Sequence, residues 1–580
     1  MSAASASSGF IQKTPHLKNQ FDWDHSLQRI IQYRLPQHVS ASISPELHRF
    51  GDYVLSEEIL ECILDAESHP PTFDRYDAFG AEINKLRTSE GWKKLKAVAA
   101  TEGIIAIAYE RKYGVFSRIV QFAKYYIYAP SSALFTCPLA MTDGCARVLS
   151  MHAARPDIVQ HLTTRDPSQF WTSGQWMTER SGGSDVSGTE TFATKSTESG
   201  SGSNTYLIDG FKWFSSATDS QVTLLLAREN AEQKLSCFLG HVKDGGANII
   251  RLKNKLGTKP LPTAELELRN LKSELIGLPE RGVSVISSML AITRIHNSVN
   301  AVAFLRRSLE IAKEFSIIRK VFGKPLQLIP AHIHTLADLE VRHHAMMQLT
   351  FYCVGLLGKS ECGEISDEEK FLLRCLPSLV KAYTAKRSLA GISECMEAIG
   401  GVGYLENEPE LNIARLERDA QVLTIWEGTT NVLCDDFVHV LKSSDNALKI
   451  FSQFLENALE RSRRSQTLSQ HTTLAAQAYE TWARYIQQAE LNELIARGRA
   501  IGFFFADIIA SALLLEDAAR DEDPRAVEIA KRYVMRLQGS DPLSKFSPSS
   551  AEQYDANDIF SNDQLVVFGR LHTTPLKTKL

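Results

Sequence analysis

The spacing of apolar residues changes period twice along the chain, and that order excludes most simple architectures. Up to about Asp166 apolar side chains recur at helical spacing. Leu47, Phe50, Val54, Leu55, Ile59 and Ile63 line up this way, and residues 92–128 carry similar stripes. From Phe170 to about Leu278 the chain becomes rich in Gly, Ser and Thr, with short apolar runs between turns. Residues 206–208, 222–227, 237–239 and 249–250 read as strands, and 264–268 alternates apolar with acidic, the pattern of a half-buried strand. The polar stretch 196–204 reads as a hairpin tip. From Gly282 the helical period returns. Ile286, Met289, Leu290, Val299, Val302, Leu305, Leu309 and Ala312 make one face of a long helix, and further helices are expected over 333–357, 372–399 and 425–441.

The expected fold is therefore mainly α with a central antiparallel β domain. We divide it into a helical N-terminal domain (1–169), a β domain (170–280), a C-terminal four-helix bundle (281–444) and an extra helical domain (445–580). In the last, residues 472–499 and 526–537 are amphipathic, and the Ser-, Pro- and Asp-rich tail after Gln538 reads as loosely ordered. At 580 residues and 44% hydrophobic content, the chain can bury several cores.

Charge and cysteines narrow the class. A net charge of -4 advertises no nucleic-acid partner, and residues 445–580 hold 16 Lys and Arg against 18 Asp and Glu. Only Arg461, Arg463 and Arg464 cluster there, which reads as a solvated helix end. Nine scattered cysteines with no C-x-x-C pair point to reduced thiols and an intracellular setting. Cytoplasm, peroxisome and mitochondrion all stay open: the first residues lack a secretory pattern, and the end Thr578-Lys579-Leu580 is one residue from a peroxisomal address. No membrane span is expected, because the apolar stretch 501–515 is short and contains Asp507.

Familiar nucleotide and hydrolase signatures are missing. No G-x-G-x-x-G follows a strand, no G-x-S-x-G occurs, and Gly358-Lys359-Ser360 has Cys353 where a phosphate loop needs glycine. His332, His334, His343 and His344 lack carboxylates or Cys at ligand spacing and read as packing or solvated histidines, so no metal is expected. Two stretches carry chemistry. Residues 176–188 (WMTERSGGSDVSG) pair adjacent glycines with the hydroxyls of Thr178 and Ser184, which suits close backbone approach to a ligand and equally an ordinary Gly-Ser loop. Residues 398–431 end in Trp426-Glu427-Gly428-Thr429. A carboxylate there, among Leu423, Ile425, Val432 and Leu433, is either a partly desolvated base or a helix N-terminal Glu facing the dipole.

Five strings decide further. T-E-x-x-x-G-S-D at 178–185, K-W-F-S-S at 212–216, R-x-x-F-G-x-P-L at 319–326, G-G-x-G-Y at 400–404 and W-E-G-T at 426–429 resemble, in order and spacing, the acyl-CoA dehydrogenase family. The R-Y-D-A-x-G string at 75–80, L-K-x-K-L-G at 252–257 and the extra C-terminal helices resemble its alkylation-response branch, typified by AidB.

The resemblance implies FAD between the β domain and the bundle. Met177, Thr178, Gly183 and Ser184 would border the flavin, Phe214 would pack on its ring where many members carry Trp, and Ser215 and Ser216 would face it. Ile425, Trp426, Gly428, Thr429 and Asn431 would complete the site. Arg319, Phe322, Gly400 and Gly401 would reach the pyrophosphate and adenine across a subunit interface, so a homodimer or tetramer is implied. Glu427 would take the α-proton of an acyl-CoA while the β-hydride leaves to flavin N5, giving the 2,3-enoyl-CoA; Ser184 and Arg294 would contact the substrate. Some members carry the base before an Arg on an earlier helix, and that pair here is Thr293-Arg294. Pro330 and Glu397 stand where many members place Gln near FAD, and Ala291 where typical members place an Asp near CoA. The AidB-like alternative is a flavoprotein that mainly binds DNA or lipid with weak dehydrogenase activity. A second alternative is an oxidase that passes electrons to O₂.

Overall fold

Short polar side chains start the first helices: Asp24 accepts from the Leu27 amide and Ser89 from the Trp92 amide, satisfying donors that a helix start leaves free. A computed structural model describes residues 3–196, 204–406, 408–538 and 556–571. The N-terminal domain contains α1 (His25–Arg34), α2 (Gln37–Tyr53), α3 (Glu57–Ser68), α4 (Glu90–Thr101), α5 (Ala106–Glu110), α6 (Ser117–Tyr128), α7 (Thr136–Met151) and α8 (Pro156–Leu162). The stripe from Leu47 to Ile63 is shared by α2 and α3, which are separated at Val54–Ser56. The helical reading missed one element: the R-Y-D-A-x-G string lies on a hairpin of β1 (Thr72–Tyr76) and β2 (Glu82–Arg87). Asp77 accepts from the Phe79 and Ala81 amides and makes the turn.

The β domain is a sheet of β3 (Ser173–Trp176), β4 (Phe192–Lys195), β5 (Thr205–Ser216), β6 (Val222–Ala227), β7 (Ser236–His241), β8 (Ala247–Leu252) and β9 (Thr263–Ile276). Its order is β3-β6-β7-β9-β5-β4, with β8 also on β9. The antiparallel expectation needs one correction, because β3 pairs with β6 in parallel. Residues 197–203 of the expected hairpin tip lie outside the described residues.

The bundle consists of α9 (Gly282–Ile318), α10 (Pro330–Cys362), α11 (Asp367–Ala398), the short α12 (Ile413–Leu423) and α13 (Thr430–Lys442). A full capping box, Ser366 with Glu369, starts α11. α9 is buried on nearly every face from Ile292 to Ala312, its polar side chains included, and runs through the core. A helix expected from Ile425 in fact begins at Thr430. Glu427 (φ 57°) and Gly428 (φ 100°) adopt left-handed backbone that a right-handed helix cannot contain. Behind the bundle, Arg118 on α6 is buried between Asp143 (2.6 Å) and Glu361 (2.6 Å), with His296 of α9 also on Asp143 (2.8 Å). This network ties the N-terminal domain to α9 and α10.

The extra domain contains α14 (Ala447–Arg463), α15 (Ser469–Gln488), α16 (Leu491–Ala496), α17 (Gly498–Ala518), α18 (Pro524–Met535) and α19 (Ala556–Phe568). α17 is long and apolar enough to cross a membrane by length and composition, but 72% of that window is buried. It packs against α10, α13, α14, α15 and α18 as the centre of the domain. The tail read as loosely ordered is corrected in part: α19 docks on α10 and buries Phe560, Val566 and Val567. Residues 539–555 and 572–580 lie outside the described residues. Arg29 on α1 meets Asp517 and Asp521 at the end of α17, joining the first and last parts of the chain.

Candidate functional site

Glu427 sits on the left-handed turn between α12 and α13, and α9 and α11 hold that turn from two sides. From α9, the Thr293 hydroxyl donates to Glu427 Oε2 at 2.6 Å, and Arg294 Nε lies 3.4 Å from the Glu427 carbonyl oxygen. From α11, Lys381 Nζ donates to the Gly428 carbonyl at 2.6 Å. Trp426 Nε1 donates to Asn297 Oδ1, and Asn297 Nδ2 donates to the Leu423 carbonyl, so the turn is anchored at both ends. The carboxyl is thus fixed by a tertiary hydroxyl rather than by the amides at the start of α13. Of the two settings read for Glu427 in the sequence, the hydrogen bond from α9 matches a partly desolvated carboxylate.

The electrostatics agree. Burial raises the Glu427 carboxyl above its ordinary value, and the Thr293 hydrogen bond, Arg294 and Lys381 each counter this in part. Burial lowers the Lys381 amine to about 7, with the Glu427 charge opposing and the Arg294 charge adding to the shift. Arg294 is itself satisfied by Ser378 Oγ at 2.7 Å and faces Asp436 at 3.7 Å; Asp436 in turn accepts from Ser378 and pairs with Arg374. Cys137 at the start of α7 is pushed well up by burial and by the Glu427 charge, and also feels Lys255 and Asp219 of the β domain.

In the β domain two of the five strings come together. Trp213 N donates to the Thr178 carbonyl at 2.9 Å, which sets the K-W-F-S-S strand against the T-E-x-x-x-G-S-D loop. Beneath them Glu179 and Lys212 form a buried pair at 2.7 Å, and Glu179 also accepts from Thr191 Oγ1 and the Glu190 amide. A Cβ at Gly183 would lie 2.4 Å from Thr178 Oγ1, so a larger residue there would displace the Thr178 hydroxyl. Met177 is buried, Ser184 exposed and Phe214 53% exposed; Ser215 is buried with no partner on its hydroxyl, and Ser216 Oγ is shared with Thr263 at 3.0 Å. The L-K-x-K-L-G string joins this domain to the bundle. Gly257 packs so closely on α12 that a Cβ would lie 2.4 Å from the Arg418 carbonyl, and the Thr258 amide donates to Asp419 at 2.6 Å.

Four expected residues lie elsewhere. Arg319 caps the far end of α9, about 39 Å along the helix from Thr293 at about 1.5 Å per residue. Phe322, at φ 50° on a two-residue hairpin, is 98% exposed, and Gly400 and Gly401 follow the end of α11, facing open space. α9 and α11 run in the same direction, since Arg294 meets Ser378 and Leu305 meets Gly391, so all four residues share one end of the bundle. Arg319 there contacts Gln12 and stands over the Phe10 ring. Within one chain these residues cannot serve the same site as Glu427. Ile425 and Thr429 are exposed beside it, and Asn431 accepts from Arg499 of the extra domain at 2.8 Å.

Sequence reading missed Lys381 and Asn297 as site residues. Lys381 had a legible signal: it is the lone cation in the run from Cys375 to Ala385, which is buried throughout. Asn297 lies one helical turn from Thr293 on the same face. Gly428 gives a direct test of the turn, because a Cβ there would meet Leu433 Cδ2 at 2.8 Å on backbone with φ 100°. Gly428→Ala is expected to cost about 1–3 kcal/mol in urea unfolding. Unchanged stability would show that the turn is not held as described.

Family profiles match the chain in order. "Adaptive response protein AidB N-terminal domain" covers residues 13–167, "Acyl-CoA dehydrogenase, middle domain" 174–271, "Acyl-CoA dehydrogenase, C-terminal domain" 280–442 and "Acyl-CoA dehydrogenase 11 C-terminal domain-like" 446–567. Acyl-CoA dehydrogenase family member 11 of Caenorhabditis elegans is 37% identical over 587 residues, spanning 96% of this chain and 93% of that protein. The putative acyl-CoA dehydrogenase AidB of Escherichia coli (strain K12) is 29% identical over 434 residues, spanning 70% of this chain and 76% of that protein. A crystal structure of Caenorhabditis elegans ACDH-11 in complex with C11-CoA superposes with a TM-score of 0.86 at 36% identity, covering 92% of this chain and 93% of that one.

Proposed function

Because this chain belongs to the acyl-CoA dehydrogenase family, we propose that it oxidises an acyl-CoA thioester between Cα and Cβ, with Glu427 as the base. The observation that carries this reading is the Glu427 carboxyl itself. It is desolvated, aimed by Thr293 at 2.6 Å and set on a turn that holds no other acid. The C11-CoA held by the related ACDH-11 supports an acyl-CoA as substrate.

The residues present fit FAD. Phe214 offers an exposed ring on β5, and Gly182 on the neighbouring loop faces open space. Thr178, Ser184, Phe214, Ser215 and Ser216 would hold the flavin portion, and Thr429 and Asn431 its phosphate side. When bound, FAD supplies the hydride acceptor. Glu427 takes the proton and must be ionised to do so. Thr293 keeps the carboxyl oriented, and its half-buried setting raises its basicity. Phe322, Gly400 and Gly401, exposed at the far end of the bundle, and the half-buried Arg319 at the same end would complete the cofactor site of a second copy, which makes the working form a homo-oligomer.

The test is anaerobic titration of the yellow protein with acyl-CoAs of varied length and branching. At least one is expected to bleach the flavin. The bleaching rate should rise with pH through a midpoint above the ordinary glutamate value, because burial raises the Glu427 carboxyl and only its ionised form accepts the proton. Absence of bleaching across the panel would sink the reading, and peroxide formed on adding O₂ would assign an oxidase instead.

A further inference from the structure

Two cations border the Glu427 turn, and they are not equivalent. Arg294 has its own partners, Ser378 at 2.7 Å and, beyond it, Asp436, which Arg374 also holds. Lys381 has none of these. Its ammonium is fully buried, its hydrogen bond goes to the Gly428 carbonyl at 2.6 Å, and the carboxylate that acts on its charge is Glu427. A buried ammonium is costly to retain unless a specific partner uses its charge. The turn it touches also needs fixing. Glu427 is a non-glycine residue at φ 57° and Gly428 lies at φ 100°, so rotation at the Gly428 carbonyl would swing the preceding carboxyl off Thr293.

We propose that Lys381 is a positioning residue for the Glu427 base, pinning the Glu427–Gly428 turn from α11 and setting a buried positive charge against the carboxylate. The inference rests on the reading of Glu427 as the base. The charged groups facing Lys381 are Glu427 on the turn and Arg294 on α9; Cys137 on α7 faces Glu427 as a neutral thiol. Below about pH 7 the amine carries its proton, and there it favours ionised Glu427 against the burial that favours the acid. The division of labour is then clear. Thr293 aims the carboxyl, Arg294 and Lys381 hold the backbone on either side of it, and Lys381 extends the pH range in which the base is charged.

The experiment compares wild type with Lys381→Arg, Lys381→Met and Lys381→Gln as full-length flavoproteins. The first readout is the infrared carbonyl band of protonated Glu427, assigned by its loss in Glu427→Gln and followed against pH. Its midpoint is expected to rise by about one pH unit or more in Lys381→Met and Lys381→Gln and to stay near wild type in Lys381→Arg. The second readout is acyl-CoA-dependent bleaching, expected about tenfold slower near neutral pH in the two uncharged variants and recovering as pH rises. An unmoved infrared midpoint in both overturns the proposal. Loss of folding in both assigns Lys381 to the fold alone and overturns it equally. If no acyl-CoA bleaches even the wild type, the proposed substrate fails, while the infrared midpoint still decides the role of Lys381.

Discussion

Glu427→Gln is expected to keep the fold and the flavin and to slow acyl-CoA-dependent bleaching by about 10²–10⁴-fold, the usual cost of removing a positioned base. Gln is nearly isosteric, its amide oxygen can still accept from Thr293, and the backbone bonds from Lys381 and Arg294 do not involve the side chain. The substitution therefore isolates proton transfer. Anaerobic stopped-flow at saturating substrate reads the loss directly, and unchanged flavin absorbance and acyl-CoA affinity separate it from disruption. The residual rate should also lose the rising pH limb that the raised Glu427 carboxyl gives the wild type. A variant that bleaches within a few-fold of wild type would move the base elsewhere. Thr293, at the alternative base position, cannot take over, because it carries a hydroxyl that already donates to Glu427.

The second large effect is on stability. Glu179→Ala is expected to destabilise the β domain by about 3–5 kcal/mol, because it leaves the Lys212 ammonium buried without its partner. Burial works to raise the Glu179 carboxyl, but Lys212, Thr191 and the Glu190 amide outweigh it and hold it below the ordinary range. Burial already depresses Lys212. Without Glu179 the lysine stays neutral to lower pH when folded, yet binds its proton at the ordinary value when unfolded. The folded state then binds fewer protons between those two values, so stability rises with pH across that window and the deficit is largest at lower pH. Urea unfolding at several pH values measures this. Glu179→Ala combined with Lys212→Met should recover much of the loss, since the cost is the stranded charge rather than the missing contact. Flavin retention should fall with Glu179→Ala, because Thr178 and Trp213 join directly above the pair. Equal stability of the single variant and wild type would show that the pair is not buried as described.

These two residues show how far the sequence could be read. Glu179 and Lys212 lie in two recognisable strings, yet nothing in either string says that they pair. Their contact follows from the loop lying along β5. The strands over 206–208 and 222–227 were legible because alternation and continuous apolar runs are local signals. The β1–β2 hairpin was not: it is short, polar and set among helices, so it carries no period. The parallel pairing of β3 with β6 was hidden for another reason, since β3 is four residues long and its partner is decided by the whole sheet. α19 was hidden by the polar residues around it and is recognisable only from what it buries on α10.

By itself, the sequence determined the order of helical, β and helical segments, the class of fold and the family, and it singled out Glu427 through the motif around it. Those depend on periodicity and on short strings, which are properties of neighbouring residues. The tertiary structure alone decided that Glu427 leaves the helix on a left-handed turn, that Thr293 bonds its carboxyl from 134 residues away, and that Lys381 stands against the same turn. It also sent Arg319, Phe322, Gly400 and Gly401 to the opposite end of the bundle. The physical reason is that the packing of α9, α11 and α13 fixes which buried groups meet. A carboxylate's desolvation, its hydrogen-bond donor and its opposing charge exist only once those helices are in contact.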